Sequence, residues 1–243
     1  MNQGNFVIEE NTQIAPGVFK LVLSGDTSGI TKSGQFVDIL IDGHFLRRPF
    51  SVCDWDERTV TVVYRTIGHG THDLSHMKPG HVTDVLTGLG NGFDTASSGE
   101  APLLVAGGSG VPMMYALAKA LLAEGKAVTA VLGYRTRDDI FLADDIAALG
   151  AKVIITTEDG SYGVKGYVTD AMKDLSYTYF YTCGPEAMFK SIDAMASTSG
   201  QFSFEARMGC GYGACMGCTC ETKYGHKRIC KDGPVLVREE IVW

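Results

Sequence analysis

Along the first 97 residues, apolar positions fall in short runs or alternate with polar ones. Asn5–Glu9, Val18–Leu23, Gln35–Ile41, Thr59–Arg65 and His81–Leu86 carry this pattern, separated by clusters of Gly, Asp, Asn and Ser. A period of two marks a half-buried strand, and the intervals suit a small antiparallel barrel. Only Leu74–Met77 and its neighbours hint at a helix in this half. The pattern changes after Asn91-Gly92-Phe93-Asp94 and the polar stretch Thr95–Glu100. Pro102–Ala106, Val128–Tyr134, Val153–Thr157, Tyr177–Thr182 and Phe202–Ala206 read as buried strands. Between them lie helical runs at Pro112–Ala123, Ile140–Leu149, Val168–Leu175 and Glu186–Met195. Such β-α-β alternation predicts a parallel sheet with helices on both faces. The last stretch, 207–243, is too short for a core of its own and needs a metal or a packing surface to hold it. The expected organisation is therefore a β plus α/β chain: an antiparallel β-barrel over 1–97, a Rossmann-like parallel-sheet unit over 98–206, and a small C-terminal subdomain over 207–243.

Composition changes this picture little. The chain is 45% apolar and 20% charged, with no low-complexity tract. A formal net charge of −7 argues against a nucleic-acid partner. No apolar run reaches the 18 or so residues of a membrane-spanning helix. Met1-Asn-Gln-Gly-Asn-Phe has neither the basic start nor the apolar run of a signal peptide, so a reducing cytoplasm is expected.

The chemistry is concentrated in the tail. Cys210, Cys215 and Cys218 give C-x4-C-x2-C, and Cys230 offers a fourth thiolate downstream. That is the plant-type spacing for a [2Fe–2S] cluster. The register is nearly forced: from Cys215 the x4 partner would be Cys220, but the next ligand would fall on Lys223. Cys220 is then the spare. Gly209, Gly211, Gly213 and Gly217 allow a tight wrap with positive φ and bring backbone N–H groups to the sulfurs. Structural zinc usually shows paired C-x2-C knuckles, of which one is present. A disulfide framework conflicts with the odd cysteine count, seven.

Weaker signals lie upstream. Arg47-Arg48-Pro49-Phe50-Ser51 offers a guanidinium fork for phosphate and a hydroxyl for a flavin ring. It is also compatible with a surface Arg pair before a strand, Pro49 marking an edge. Val63-Tyr64-Arg65 could sandwich an isoalloxazine or adenine ring between an aromatic and a cation, or be ordinary strand. Gly68-His69-Gly70-Thr71 could open a helix whose N–H groups and dipole suit pyrophosphate, or be a plain turn. Gly107-Gly108-Ser109-Gly110-Val111-Pro112 falls between a strand and a helix, where a dinucleotide phosphate rests. It departs from G-x-G-x-x-G, because Met113 stands where glycine or alanine should. Cys183-Gly184-Pro185 ends a late strand, where Cys183 could face a nicotinamide or be a small buried hydrophobe. Thr157-Glu158-Asp159-Gly160-Ser161 could touch ribose, and Arg135 and Arg137 could accept a 2′-phosphate. His69, His72, His76 and His81 cross a loop and a turn and read as solvated or capping residues. No nucleophile–base pair for hydrolysis is visible, so no catalytic acid or base is expected.

In this order, Arg-Pro-Phe-Ser, Tyr-Arg, Gly-Thr, Gly-Gly-Ser-Gly-Val-Pro and Cys-Gly-Pro, the chain resembles the ferredoxin–NADP reductase superfamily. The tail, Met-Gly-Cys-Gly-Tyr-Gly-Ala-Cys-Met-Gly-Cys-Thr-Cys followed by Arg-Ile-Cys-Lys-Asp-Gly-Pro-Val, narrows the resemblance to the electron transfer subunits of NAD-dependent dihydroorotate dehydrogenase B. This resemblance covers nearly the whole chain. It implies FAD on Arg48, Pro49, Phe50, Ser51, Val63, Tyr64, Arg65, Gly70 and Thr71. It places NAD over Gly107, Gly108, Ser109 and Gly110, with Cys183, Gly184 and Pro185 near the nicotinamide. It also implies a cluster on Cys210, Cys215, Cys218 and Cys230, and an FMN-containing catalytic partner in a heterotetramer of two subunits of each kind. Related subunits serving sulfide, hydrogenase or ferredoxin–NADP chemistry share these modules. The non-enzymatic alternative is a zinc-stabilised interaction module without flavin.

Overall fold

A computed structural model describes all 243 residues. Six strands close a barrel in the order β1-β2-β5-β4-β3-β6. They are β1 (Asn2–Ala15), β2 (Val18–Ser24), β3 (Phe36–Ile39), β4 (Arg48–Trp55), β5 (Thr59–Arg65) and, after helix α1 (His69–His76), β6 (Val82–Leu89). All their pairings are antiparallel. Alternation drives the closure: Leu21 and Leu23, and Val60 and Val62, turn into one apolar centre with Ile8, Ile39 and Val85. The periodicity misses β4 because its first residues, Arg48 and Pro49, read as a loop. Pro49 is not at an edge: β4 lies between β3 and β5, and the proline stands near the strand start, where a missing N–H is tolerated.

The second unit is a seven-stranded sheet in the order β10-β9-β8-β7-β11-β12-β15. Its chain runs β7 (Pro102–Gly107), α2 (Val111–Ala123), β8 (Thr129–Tyr134), α3 (Ala143–Ala148), β9 (Lys152–Thr157), β10 (Val164–Lys165), α4 (Val168–Met172), β11 (Tyr179–Cys183), α5 (Glu186–Met195) and β12 (Gly200–Ser203). Strands β7 to β12 pair in parallel, as the β-α-β pattern predicts. The tail adds a hairpin, β13 (Thr219–Thr222) with β14 (Gly225–Arg228), and then β15 (Val235–Val237), which pairs antiparallel with β12.

Two apolar layers flank this sheet. One gathers α2 and α3 residues with Val18, Cys53 and Val63 of the barrel. The other unites Phe36, Leu86 and Leu89 of the barrel, Phe180 and Phe202 of the sheet, and Cys218, Ile229 and Cys230 of the tail. Barrel, sheet and tail thus share one buried layer, which fixes the distance between their loops.

Candidate electron-transfer site

Strand parity sorts the barrel motif. Phe50 turns into the barrel, so Pro49 and Ser51 face outward. On β5 the same rule turns Tyr64 inward. Its ring is 4% exposed, lies 5.5 Å from Phe50 and 5.7 Å from Phe19, and its hydroxyl donates to Asn11 Oδ1 at 3.0 Å. Burial raises its phenol well above the ordinary value. Tyr64 thus packs inside the barrel, and Val63 and Arg65 lie on the other face of β5. The two arginines part company as well. Arg47 is taken up by Asp84, donating from Nη1 to its carbonyl at 2.9 Å and pairing with its carboxylate at 2.5 Å. Arg48 instead lies against Gly70 at the start of α1.

This corner is shaped to receive an anion. A Cβ built on Gly70 would stand 2.8 Å from Arg48 Nε, so only glycine lets the guanidinium lie on the helix start. Thr71 Oγ1 accepts the N–H groups of Ile67 and Gly68 at 2.9 and 3.2 Å and secures the turn. The N–H groups of His69 and Gly70 have no carbonyl one turn back and point outward with the helix dipole. A cation and free amides converging on one spot fit a phosphate.

The tail sulfurs stand in two pairs, and no group of three or more His, Cys, Asp or Glu side chains converges on a single-ion site. Cys210 Sγ accepts the N–H groups of Ala214 and Cys215 at 3.2 and 3.4 Å and neighbours the Cys215 thiol. Cys218 Sγ accepts the N–H of Cys230 at 3.4 Å, and the two thiols adjoin. Desolvation pushes the Cys210 thiol up, but the N–H groups of Cys215, Tyr212 and Ala214 and the Cys215 side chain outweigh it and bring it down to about 6. Burial, with Cys218 and Cys210 beside it, pushes Cys230 up to about 12. Cys215 is exposed while Cys218 and Cys230 are buried, so one pair faces outward and the other inward. Two pairs of thiolates, with N–H groups aimed at sulfur, fit a dinuclear iron–sulfur centre. Gly211 and Gly213 take positive φ as expected; Gly209 and Gly217 do not, and Met216 does so with φ 63°. Cys220 lies apart on β13, opposite Lys227 of β14.

The sequence did not disclose Asp38 on β3. It is 2% exposed, its Oδ1 has no hydrogen-bond partner, and a Cβ on Gly211 would run into its carboxylate. It lies between β4 and the cysteine-rich loop. Burial pushes its carboxyl up to about 6, Arg47 and Arg48 opposing and Cys210 adding to the rise.

A cleft of about 540 Å³ opens at the C-terminal ends of β7, β8 and β9 and reaches Arg65 of the barrel. Gly107, Gly108, Ser109 and Pro185 line it, with Arg135 and Glu158 on the far side. The buried Oγ1 of Thr156, also in its wall, has no partner, which fits a polar ligand. Gly110 and Cys183 do not line the cleft. A Cβ on Gly110 would collide with the Cys183 carbonyl, so this glycine packs the turn against β11. Cys183 is 1% exposed, and desolvation raises its thiol. Gly184, at φ 153°, gives the backbone room beside Met188. The Arg137 guanidinium lies over the Tyr162 ring, 5.7 Å from its centroid, and its backbone N–H donates to Ser161 Oγ at 2.8 Å. Glu205, also missed, accepts from Ser109 Oγ at 3.1 Å. The histidines do not converge: the His72 and His76 rings lie 4.7 Å apart at a tilt of 45°, and His81 meets Asp42 at 3.4 Å.

A flavin-facing barrel, a nucleotide cleft and a thiolate loop in one packed body define a flavin- and nicotinamide-dependent iron–sulfur oxidoreductase. Family models agree module by module: the iron-sulfur cluster binding domain of dihydroorotate dehydrogenase B matches residues 205–242, and the oxidoreductase NAD-binding domain matches 104–194. The chain belongs to the family of electron transfer subunits of dihydroorotate dehydrogenase B. Relatives of that name include proteins from Geobacillus sp. (strain WCH70), 40% identical, and Bacillus mycoides (strain KBAB4), 38% identical; each match covers 100% of this chain and 99% of the relative. Among solved structures, the NADH-dependent reduced ferredoxin-NADP oxidoreductase superposes with a TM-score of 0.88 at 32% identity, covering 98% of this chain and 90% of that one. Phthalate dioxygenase reductase shares the fold, with a TM-score of 0.68 at 17% identity over 85% of this chain and 70% of its own.

Proposed function

We propose that this chain links the oxidation of dihydroorotate, on an FMN-containing catalytic partner subunit, to the reduction of NAD+, within pyrimidine biosynthesis in the cytoplasm. The assembly is a heterotetramer of two subunits of each kind. The observation that carries this reading is the shared buried layer: Cys218 and Cys230 pack with Phe36 and Leu89 of the barrel and Phe202 of the sheet. No helix is long and apolar enough to cross a membrane.

When bound, the cluster exchanges single electrons, FAD converts them into pairs, and NAD+ carries them away as hydride. Cys210, Cys215, Cys218 and Cys230 would hold the cluster, which would supply single-electron transfer. Arg48, Gly70 and Thr71 would hold the flavin phosphates; Pro49, Ser51 and Arg65 would face its ring, Val63 backs β5 against the α2 layer, and Phe50 and Tyr64 stiffen the strands from inside the barrel. Gly107, Gly108 and Ser109 take the nucleotide phosphate, with Gly184 and Pro185 closing the nicotinamide end. The chain's own work is to position these groups and exclude water; no side chain transfers a proton. Met216 and Tyr212, 55% and 48% exposed on the cluster loop beside Cys215, form the face on which the partner docks.

Co-expression with the catalytic subunit tests this. The co-purified assembly should reduce NAD+ with dihydroorotate as sole donor. The structural likeness to the ferredoxin-NADP oxidoreductase supplies the competing outcome: a chain that ignores dihydroorotate yet exchanges electrons between NADH and reduced ferredoxin belongs with that system.

A further inference from the structure

Arg48 is held by more than the barrel. Its Nη1 donates to the carbonyls of Leu46 and Arg47, at 2.5 and 3.3 Å, and its Nη2 lies 3.4 Å from His44 Nδ1. A guanidinium can only donate, so His44 Nδ1 must accept and the imidazole proton must sit on Nε2. That nitrogen lies 2.8 Å from Asp73 Oδ2. His44 belongs to the connection between β3 and β4, whereas Asp73 is the fifth residue of α1. The pair therefore bridges the two segments on either side of Arg48. With its Nη atoms occupied, Arg48 presents its Nε edge to Gly70 and the start of α1.

We propose that His44 and Asp73 are positioning residues for flavin retention: Asp73 fixes the tautomer of His44, and His44 holds the Arg48 fork over the start of α1. The inference rests on the reading of Arg48 and Gly70 as the phosphate cradle. The His44 side chain is 17% exposed and that of Asp73 53%, so this hydrogen bond is largely solvated and adds little to stability. Its effect is pre-organisation: an Arg already held in place spends less conformational entropy when phosphate arrives. Hydrogen bonds from His44 first, then from His72, keep the Asp73 carboxyl below its usual range, which preserves it as an acceptor.

The test is the rate at which the holo-assembly releases FAD, followed by flavin fluorescence, with iron content and thermal stability recorded alongside. His44→Ala should release FAD about tenfold faster, the effect of losing one charged hydrogen bond. His44→Gln, whose amide oxygen can take the Arg48 donor, should restore most of the retention. Asp73→Asn, still an acceptor, should behave as wild type, and Asp73→Ala should release FAD about threefold faster, less than His44→Ala because that contact is screened. Iron content and melting temperature should not move. Arg48→Ala separates the two levels of the argument. If it loses FAD while His44→Ala retains it, the positioning role is overturned and the cradle stands. If Arg48→Ala retains FAD, both fall. Equal loss from His44→Ala and His44→Gln also overturns the positioning role.

Discussion

Cys215 and Cys220 carry the same thiol into two different environments. Cys215 is exposed beside Cys210, with the Gly217 N–H 3.5 Å from its sulfur; Cys220 faces Lys227 across a hairpin, and desolvation raises its thiol. Cys215→Ser should strip iron from the purified protein, while Cys220→Ser should leave iron content intact; equal loss from both would show a wrong ligand register. Asp38 offers a second prediction at this scale. Its folded carboxyl keeps a proton up to about pH 6, while the unfolded chain releases it near the ordinary 3.8. The folded state thus binds more protons over that window, and this residue costs stability as pH rises from about 4 to about 6 and fully above it. Asp38→Asn should therefore raise the melting temperature more at pH 8 than at pH 5; a gain independent of pH would contradict the burial argument. The cysteine spacing was legible because a metal site repeats a local spacing. Asp38, His44 and Asp73 were not, because each owes its role to a partner from a distant stretch of chain. Which of Val63, Tyr64 and Arg65 turn into the barrel was not legible either, because strand parity, and not residue type, sets the direction of a side chain.

At the scale of elements, the periodicity showed the β-α-β unit almost strand for strand, since buried parallel strands are continuous apolar runs. Among the strands it missed are β4 and β15. The first opens on Arg-Pro, and the second is a three-residue strand at the edge of the sheet. β15 matters because it ties the cluster module to the body. Asn91 completes the tie: its Nδ2 donates to the Val235 carbonyl at 2.8 Å and its Oδ1 accepts the Val235 N–H at 3.1 Å. Its backbone N–H also donates to the Gly233 carbonyl at 2.7 Å. Asn91→Ala leaves a part-buried backbone pair unsatisfied and should destabilise the tail by about 1–3 kcal/mol. Under denaturant, cluster bleaching should shift to lower concentration; an unmoved cluster transition would show that the tail is held by its metal alone.

For the whole molecule, the arrangement joins three carriers without a catalytic side chain. The barrel corner presents a cation and free amides, the sheet presents a cleft, and the tail presents two thiolate pairs, one inward and one outward. Sequence spacing identified each module, but not that the inward pair shares a buried layer with the barrel and the sheet. That layer makes the tail part of a relay. The most direct test is an anaerobic addition of dihydroorotate to the co-purified assembly, recording flavin absorbance and the cluster's EPR signal, followed by NAD+. The account predicts that dihydroorotate bleaches the flavin and raises the reduced-cluster signal, and that NAD+ reverses both. A colourless, zinc-containing protein, or a cluster and flavin that stay oxidised with dihydroorotate, would contradict it.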